Sequence, residues 1–149
     1  MDGFSIAVLG LALSTILCGI GSSLGLKYTV STLSGVAAGD PSKVGKCMLI
    51  ALLPATQGLY GLVISIIGMG NLANVAADPA QGYAMFFAAC IMAISGFASA
   101  ILQGKAASSA IVAVGKKDEL SGKLMMYPAM IEMYALLGLV ASILIMGAI

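Results

Sequence analysis

The chain has 149 residues, of which 60% are hydrophobic and only 9% charged, with seven Lys+Arg against six Asp+Glu. So little charge excludes a soluble domain, which needs far more polar surface, and a net charge of +1 gives no basic patch for nucleic acid. There is no histidine, and Cys18, Cys47 and Cys90 lie in or beside apolar stretches without a CxxC pair, so they read as packing residues and not as a zinc site or a disulfide framework.

Lipid is therefore the expected solvent. The opening MDGFSIAVLG carries Asp2 and no basic residue, unlike the n-region of a signal peptide, so a retained transmembrane helix is expected from Phe4 on. A span needs roughly 20 mostly apolar residues. Four segments qualify, about 4–26, 48–72, 80–104 and 124–148. All must be helical, because lipid cannot satisfy an exposed backbone. The resulting fold class is an all-α membrane protein of two helical hairpins, 1–77 and 78–149. Their helices are expected over about 4–38 and 41–73, then 79–115 and 119–148. Asp40-Pro41 and Asp78-Pro79 each offer an N-cap acid followed by proline at the first helical position, and Asp118 is a candidate cap for the fourth helix.

All seven basic residues are lysines, and all fall toward one end of the hairpins. Lys43 and Lys46 lie in or beside the first connection, and Lys116, Lys117 and Lys123 in the third, with Lys27 and Lys105 toward the same ends of the first and third helices. The second connection, NLANVAADPAQG, has none. The positive-inside rule makes the lysine side cytoplasmic and places both termini outside. The first and third helices have no turn signal before Gly39 and Gly115, so they are expected to run beyond the membrane.

The second half resembles the first. LPATQGLYGL at 53–62 matches YPAMIEMYAL at 127–136, aligning Pro54 with Pro128 and Tyr60 with Tyr134. Upstream, Lys27 pairs with Lys105, Ser31 with Ser109 and Asp40 with Asp118. The shift is 78 upstream and 74 downstream, which predicts about four residues lost or gained near the connection. Both halves have their lysine-rich connection on one side, so the repeat is parallel and not inverted. In this alignment Gly58 is the partner of Glu132, and four helices share one membrane carboxylate. Small residues at a four-residue spacing in the third helix (Ala84, Ala88, Gly96, Ala100, Gly104, Ser108, with Met92 the exception) and Gly21 and Gly25 in the first allow close helix approach. That fits either tight packing within one bundle or the crowded inside of a ring.

Glu132 stands alone in the apolar run YPAMIEMYALLG, and an intramembrane acid is a functional residue by default. Helix 2 carries Leu53, Thr56, Gln57 and Tyr60 at i, i+3, i+4, i+7, which is one face. At 1.5 Å per residue, Gln57 lies about 16 Å from Lys46, Gln103 about 18 Å from Gly115 and Glu132 about 14 Å from Lys123, so all three reach a similar depth. One carboxylate, two amides and a hydroxyl suit a hard monovalent cation stripped of water, with the Leu53 carbonyl a further candidate beside Pro54. Tyr60 is placed to hold the Glu132 rotamer by a hydrogen bond. A proton site would need only the carboxyl group, which favours Na⁺ over the alternative, H⁺.

LLPATQGLYG, LQGK at 102–105 and IEMYA at 131–135 resemble the membrane-rotor proteolipid (subunit K or its equivalents) of V-type and A-type rotary ATPases, above all its Na⁺-transporting bacterial members. The resemblance covers essentially the whole chain. It implies Na⁺ ligands at Leu53 (carbonyl), Thr56, Gln57, Gln103 and Glu132, with Tyr60 bonding the carboxylate. It also implies a ring of identical subunits in the cell membrane, surrounded by lipid. This ring turns against a stator membrane subunit bearing an essential arginine and docks on a central-stalk subunit through the cytoplasmic loops 39–46 and 115–123. ATP hydrolysis would lie on other subunits, so the chain is not expected to be an enzyme by itself. One carboxylate per four helices implies few ions per turn, a gearing suited to a pump. The rival readings are a small multidrug antiporter, disfavoured by the low aromatic content and absence of Trp, and a structural or pore-forming bundle, which leaves the oxygen cluster unexplained.

Overall fold

The computed structural model describes residues 2–149, and the described residues form helices without a strand. Helix α1 spans Gly3–Gly39, with Asp2 as N-cap accepting from the Ser5 amide. Helix α2, Pro41–Gly70, is one rod with 3-10 turns at Pro41–Lys43 and Leu53–Ala55, followed by a short helix over Leu72–Ala77. Helix α3 spans Pro79–Lys116, with Asp78 accepting from the Ala80 amide, and α4 spans Asp118–Met146. All four are long and apolar enough to cross a membrane. At 37 and 38 residues, α1 and α3 are about 55 Å long, well beyond the roughly 30 Å hydrocarbon core.

Glycine sets the inner layer. A Cβ on Gly10 would sit 2.8 Å from the Phe86 Cα, one on Gly21 2.8 Å from the Phe97 Cα, and one on Gly104 2.5 Å from the Gly25 Cα. The contacts advance together along both helices, so α1 and α3 run parallel, backbone against backbone, as small-residue faces permit. The α3 stripe is buried in this layer, with Ala88, Met92, Gly96, Ala100 and Gly104 all covered. Helix α2 returns antiparallel on α1, joined by Thr29 to the Ala51 carbonyl at 2.8 Å and Ser65 to the Leu11 carbonyl at 2.6 Å. Helix α4 returns on α3, with Ser142 donating to the Ala88 carbonyl at 2.8 Å.

The two hairpins are joined at both ends. At the lysine end, Lys43 donates to the Gly115 carbonyl at 2.6 Å and Lys46 pairs with Asp118. At the other end, Asn71 donates to the Met146 carbonyl at 2.7 Å. Asp118 is therefore a partner of Lys46 and not the helix cap expected from sequence; Lys117 holds the extended cap position and Asp118 opens the 3-10 turn Asp118–Leu120. The Lys46 ammonium holds the Asp118 carboxyl below the usual carboxylate range.

The repeat has one constant register. Ser65 Oγ lies within hydrogen-bond reach of the carbonyls of Leu11 and Gly61, and Ser142 Oγ of those of Ala88 and Gly138. Each member of the second trio lies 77 positions after its counterpart. The first and third helices also end 77 apart, at Gly39 and Lys116, with Asp40 and Lys117 both extended after them. This corrects the shifts of 78 and 74 and the four-residue change inferred between them. Asp40 corresponds to Lys117, and the counterpart of Glu132 is Ala55, not Gly58. Pro54 and Pro128 misalign the halves because they stand at different turns, Pro54 inside the Leu53–Ala55 3-10 turn and Pro128 two residues into the helix that resumes at Met126.

Candidate ion-binding site

Pro54 lacks an N–H, so the α2 ladder loses the bond to the Ile50 carbonyl and tightens to 3-10 geometry over Leu53–Ala55. The tightened turn brings the Leu53 carbonyl, the Thr56 hydroxyl and the Gln57 amide to one side of the rod. Thr56 Oγ1 lies 3.0 Å from the Leu53 carbonyl oxygen and 3.4 Å from Gln57 Oε1. It also lies 2.8 Å from Glu132 Oε1 on α4. A hydroxyl has one hydrogen to donate. Three acceptor oxygens crowd around it, one of them from a carboxylate.

Glu132 is half-buried and receives three donors. Thr56 and Tyr60 donate to Oε1 at 2.8 and 2.6 Å, and Gln103 Nε2 donates to Oε2 at 3.2 Å. Gln57 Nε2 donates to Gln103 Oε1 at 2.6 Å, and both glutamines are fully buried. The two ion pairs among the described residues, Lys43–Asp40 and Lys46–Asp118, lie at the lysine end, so no lysine neutralises Glu132. The six residues expected to form the site, Leu53, Thr56, Gln57, Tyr60, Gln103 and Glu132, thus meet in one cluster made by α2, α3 and α4 of a single chain. The cluster gathers the Leu53 carbonyl, a hydroxyl, two amide oxygens and a carboxylate, with one formal negative charge. That donor set matches a hard monovalent cation in chemistry and in charge.

The sequence matches the family model of the ATP synthase C-subunit twice, over residues 9–68 and 86–145. The chain belongs to the ATP synthase C-subunit family. Both matched segments are again 77 apart at each end (86 − 9 and 145 − 68), as the serine trios are. Its relatives include the V-type sodium ATPase subunit K of Enterococcus hirae, 38% identical over 143 residues covering 96% of this chain and 91% of the relative. The A-type ATP synthase subunit K of Methanocaldococcus jannaschii is 34% identical over 98% of this chain and 64% of its own length. The chain is thus a rotor proteolipid of the V/A-type rotary ATPases, a multi-pass membrane protein of a homo-oligomeric ring and a non-catalytic part of the complex.

In this proteolipid, Ser99 is a cluster residue that sequence reasoning passed over. Its hydroxyl accepts from Gln57 Nε2 at 3.4 Å and donates to the Ile131 carbonyl at 3.1 Å, tying the amide network to the backbone just before Glu132. The available signal was its spacing: Ser99 precedes Gln103 by four residues and shares its helix face. Gly58, by contrast, faces α1, where its amide donates to Ser22 Oγ at 2.8 Å.

Proposed function

We propose that this proteolipid carries Na⁺ through the rotor of a V-type ATPase. The Leu53 carbonyl, Thr56, Gln57, Gln103 and Glu132 hold the ion, and Tyr60 fixes the carboxylate. The observation that carries the reading is the crowding of oxygens around a single hydroxyl proton, beside a carboxylate that no lysine neutralises. A proton would satisfy the carboxylate alone; the two buried amides and the carbonyl add neutral oxygens that can replace the water shell of Na⁺. The name of the Enterococcus hirae relative supports the same ion.

Charge decides when the site can face lipid. An unpaired charge at a helix centre costs at least about 2.5–3.5 kcal/mol on insertion scales. Glu132 with Na⁺ is neutral overall and can travel past lipid. Emptied Glu132 needs an opposing positive charge, which an arginine on a stator subunit would supply. The lysine-end connections, 39–46 and 115–123, face the cytoplasm and dock on the central stalk, and both termini face outward. One carboxylate per four helices gives each ion a large share of the ATP energy, which suits pumping against a steep gradient.

Carbodiimide labelling of purified rings tests the ion. Glu132 should react, and added Na⁺ should protect it at constant pH. Labelling that ignores Na⁺ and follows pH alone would replace Na⁺ with H⁺.

A further inference from the structure

Ser99 is buried at the back of the oxygen cluster, only 4% exposed. Its hydroxyl has neighbours on two other helices. The Ile131 carbonyl of α4 lies 3.1 Å away, and Gln57 Nε2 of α2 lies 3.4 Å away. A hydroxyl carries one hydrogen, and a carbonyl can only accept. The hydrogen therefore goes to Ile131, which leaves the Ser99 oxygen as an acceptor toward Gln57. Only the nitrogen end of the Gln57 amide can meet it.

That choice fixes the other end of the same amide. Gln57 Nε2 has two hydrogens, one for Ser99 and one for Gln103 Oε1 at 2.6 Å. Gln57 Oε1 is thereby turned to Thr56 Oγ1, at 3.4 Å, among the oxygens beside Glu132. A half-turn of the amide would bring its N–H groups to that place, where a hard cation needs oxygen. It would also set Oε1 against Gln103 Oε1 and the Ser99 lone pairs. Gln57 is fully buried, so the unpaired atoms of a misdirected amide would carry their full cost.

The direction of the Ser99 hydrogen bond is not common to every serine at this level. Ser22 lies 77 positions earlier and meets the equivalent turn of α2, but there it accepts, from the Gly58 amide at 2.8 Å. Ser99 donates to the α4 backbone, and this is what presents a lone pair to Gln57. We propose that Ser99 is a positioning residue of the ion site, orienting the Gln57 amide so that Oε1, and not Nε2, faces the ion. It acts through Gln57 alone. The proposal rests on the Na⁺ reading and adds what makes a glutamine, whose two ends have nearly the same shape, offer oxygen.

The test is Na⁺ protection of Glu132 against carbodiimide in purified rings, titrated to high salt, with rotor mass confirming assembly. Ser99→Ala should raise the Na⁺ concentration for half-protection by roughly 2- to 12-fold, the range for one hydrogen bond. Ser99→Cys fills the same space with a weak acceptor and should lose about as much, whereas Ser99→Thr keeps the hydroxyl and should restore protection. In Gln57→Met rings, Ser99→Ala should change nothing further, because the group it orients is gone. Unchanged half-protection in Ser99→Ala, rescue by cysteine, failure of threonine to rescue, or an equal further loss in the Gln57→Met background overturns the proposal. If the alanine variant does not assemble, the cysteine and threonine variants carry the same comparison. Wild-type labelling that ignores Na⁺ sinks the Na⁺ reading and this inference with it; wild-type protection that the Ser99 variants share unchanged sinks this inference alone.

Discussion

Replacing Thr56 by valine keeps the shape of the side chain and removes one oxygen. That oxygen is 2.8 Å from Glu132 Oε1 and 3.0 Å from the Leu53 carbonyl, at the centre of the oxygen cluster. Two losses follow: a neutral ligand for the ion and a donor that orients the carboxylate. Hydrogen bonds to charged groups contribute about 1.5–3 kcal/mol, which corresponds to an affinity loss of roughly 10- to 150-fold. Thr56→Ser keeps the oxygen and loses only a methyl group, so it should stay within about fourfold of wild type, since burial of one such group contributes about 0.8 kcal/mol. Equilibrium binding of ²²Na⁺ to purified rings measures both variants, with rotor mass confirming that each assembles. Valine and serine variants that bind alike would refute the placement of Thr56 Oγ1 in the ion's shell.

Glu132→Gln should abolish Na⁺ transport and carbodiimide labelling in reconstituted complexes, since it removes the one membrane carboxylate. Gln103→Ala should leave labelling intact and weaken Na⁺ binding; an unchanged ²²Na⁺ isotherm would take Gln103 out of the shell. Gly104→Ala forces a Cβ to within 2.5 Å of the Gly25 backbone, where neither helix can yield locally, and should lower the thermal stability of the ring by about 1–3 kcal/mol. Gly19→Ala meets nothing within 4 Å inside its own copy and should not lower the melting temperature. The Asp118 carboxyl is lowered by Lys46, so the pair's contribution is present above the ordinary carboxylate range and is lost as pH falls through the depressed value. Melting curves of wild type and Lys46→Ala should therefore differ at neutral pH and converge in acid.

The spans, their hairpin order and the members of the oxygen cluster were legible in the sequence because each depends on local physics. An apolar run of membrane length must become a helix in lipid, and a 3.6-residue period puts Thr56, Gln57 and Tyr60 on one face wherever that helix packs. Glu132 was conspicuous because its neighbours are apolar. Ser99 was not, because a serine four residues from Gln103 looks like any small packing residue until its two hydrogen-bond partners are seen.

The register of the two halves was decided by tertiary contacts. Matching Pro54 to Pro128 and Asp40 to Asp118 weights residue identity, yet a proline can shift by a turn on a helix without moving the bundle. Ser65 and Ser142 meet equivalent carbonyls on their neighbouring helices, Leu11 and Ala88, and that contact reports which backbones pack together and not residue identity. The shared strings GLVIS at 61–65 and GLVAS at 138–142 mark that same register in the sequence. Composition alone thus determined what each helix is made of and how long it runs. The packed structure singled out that register, in which Ala55 answers Glu132, and it alone decided that Asp118 serves Lys46, since that pairing depends on which backbones lie close together.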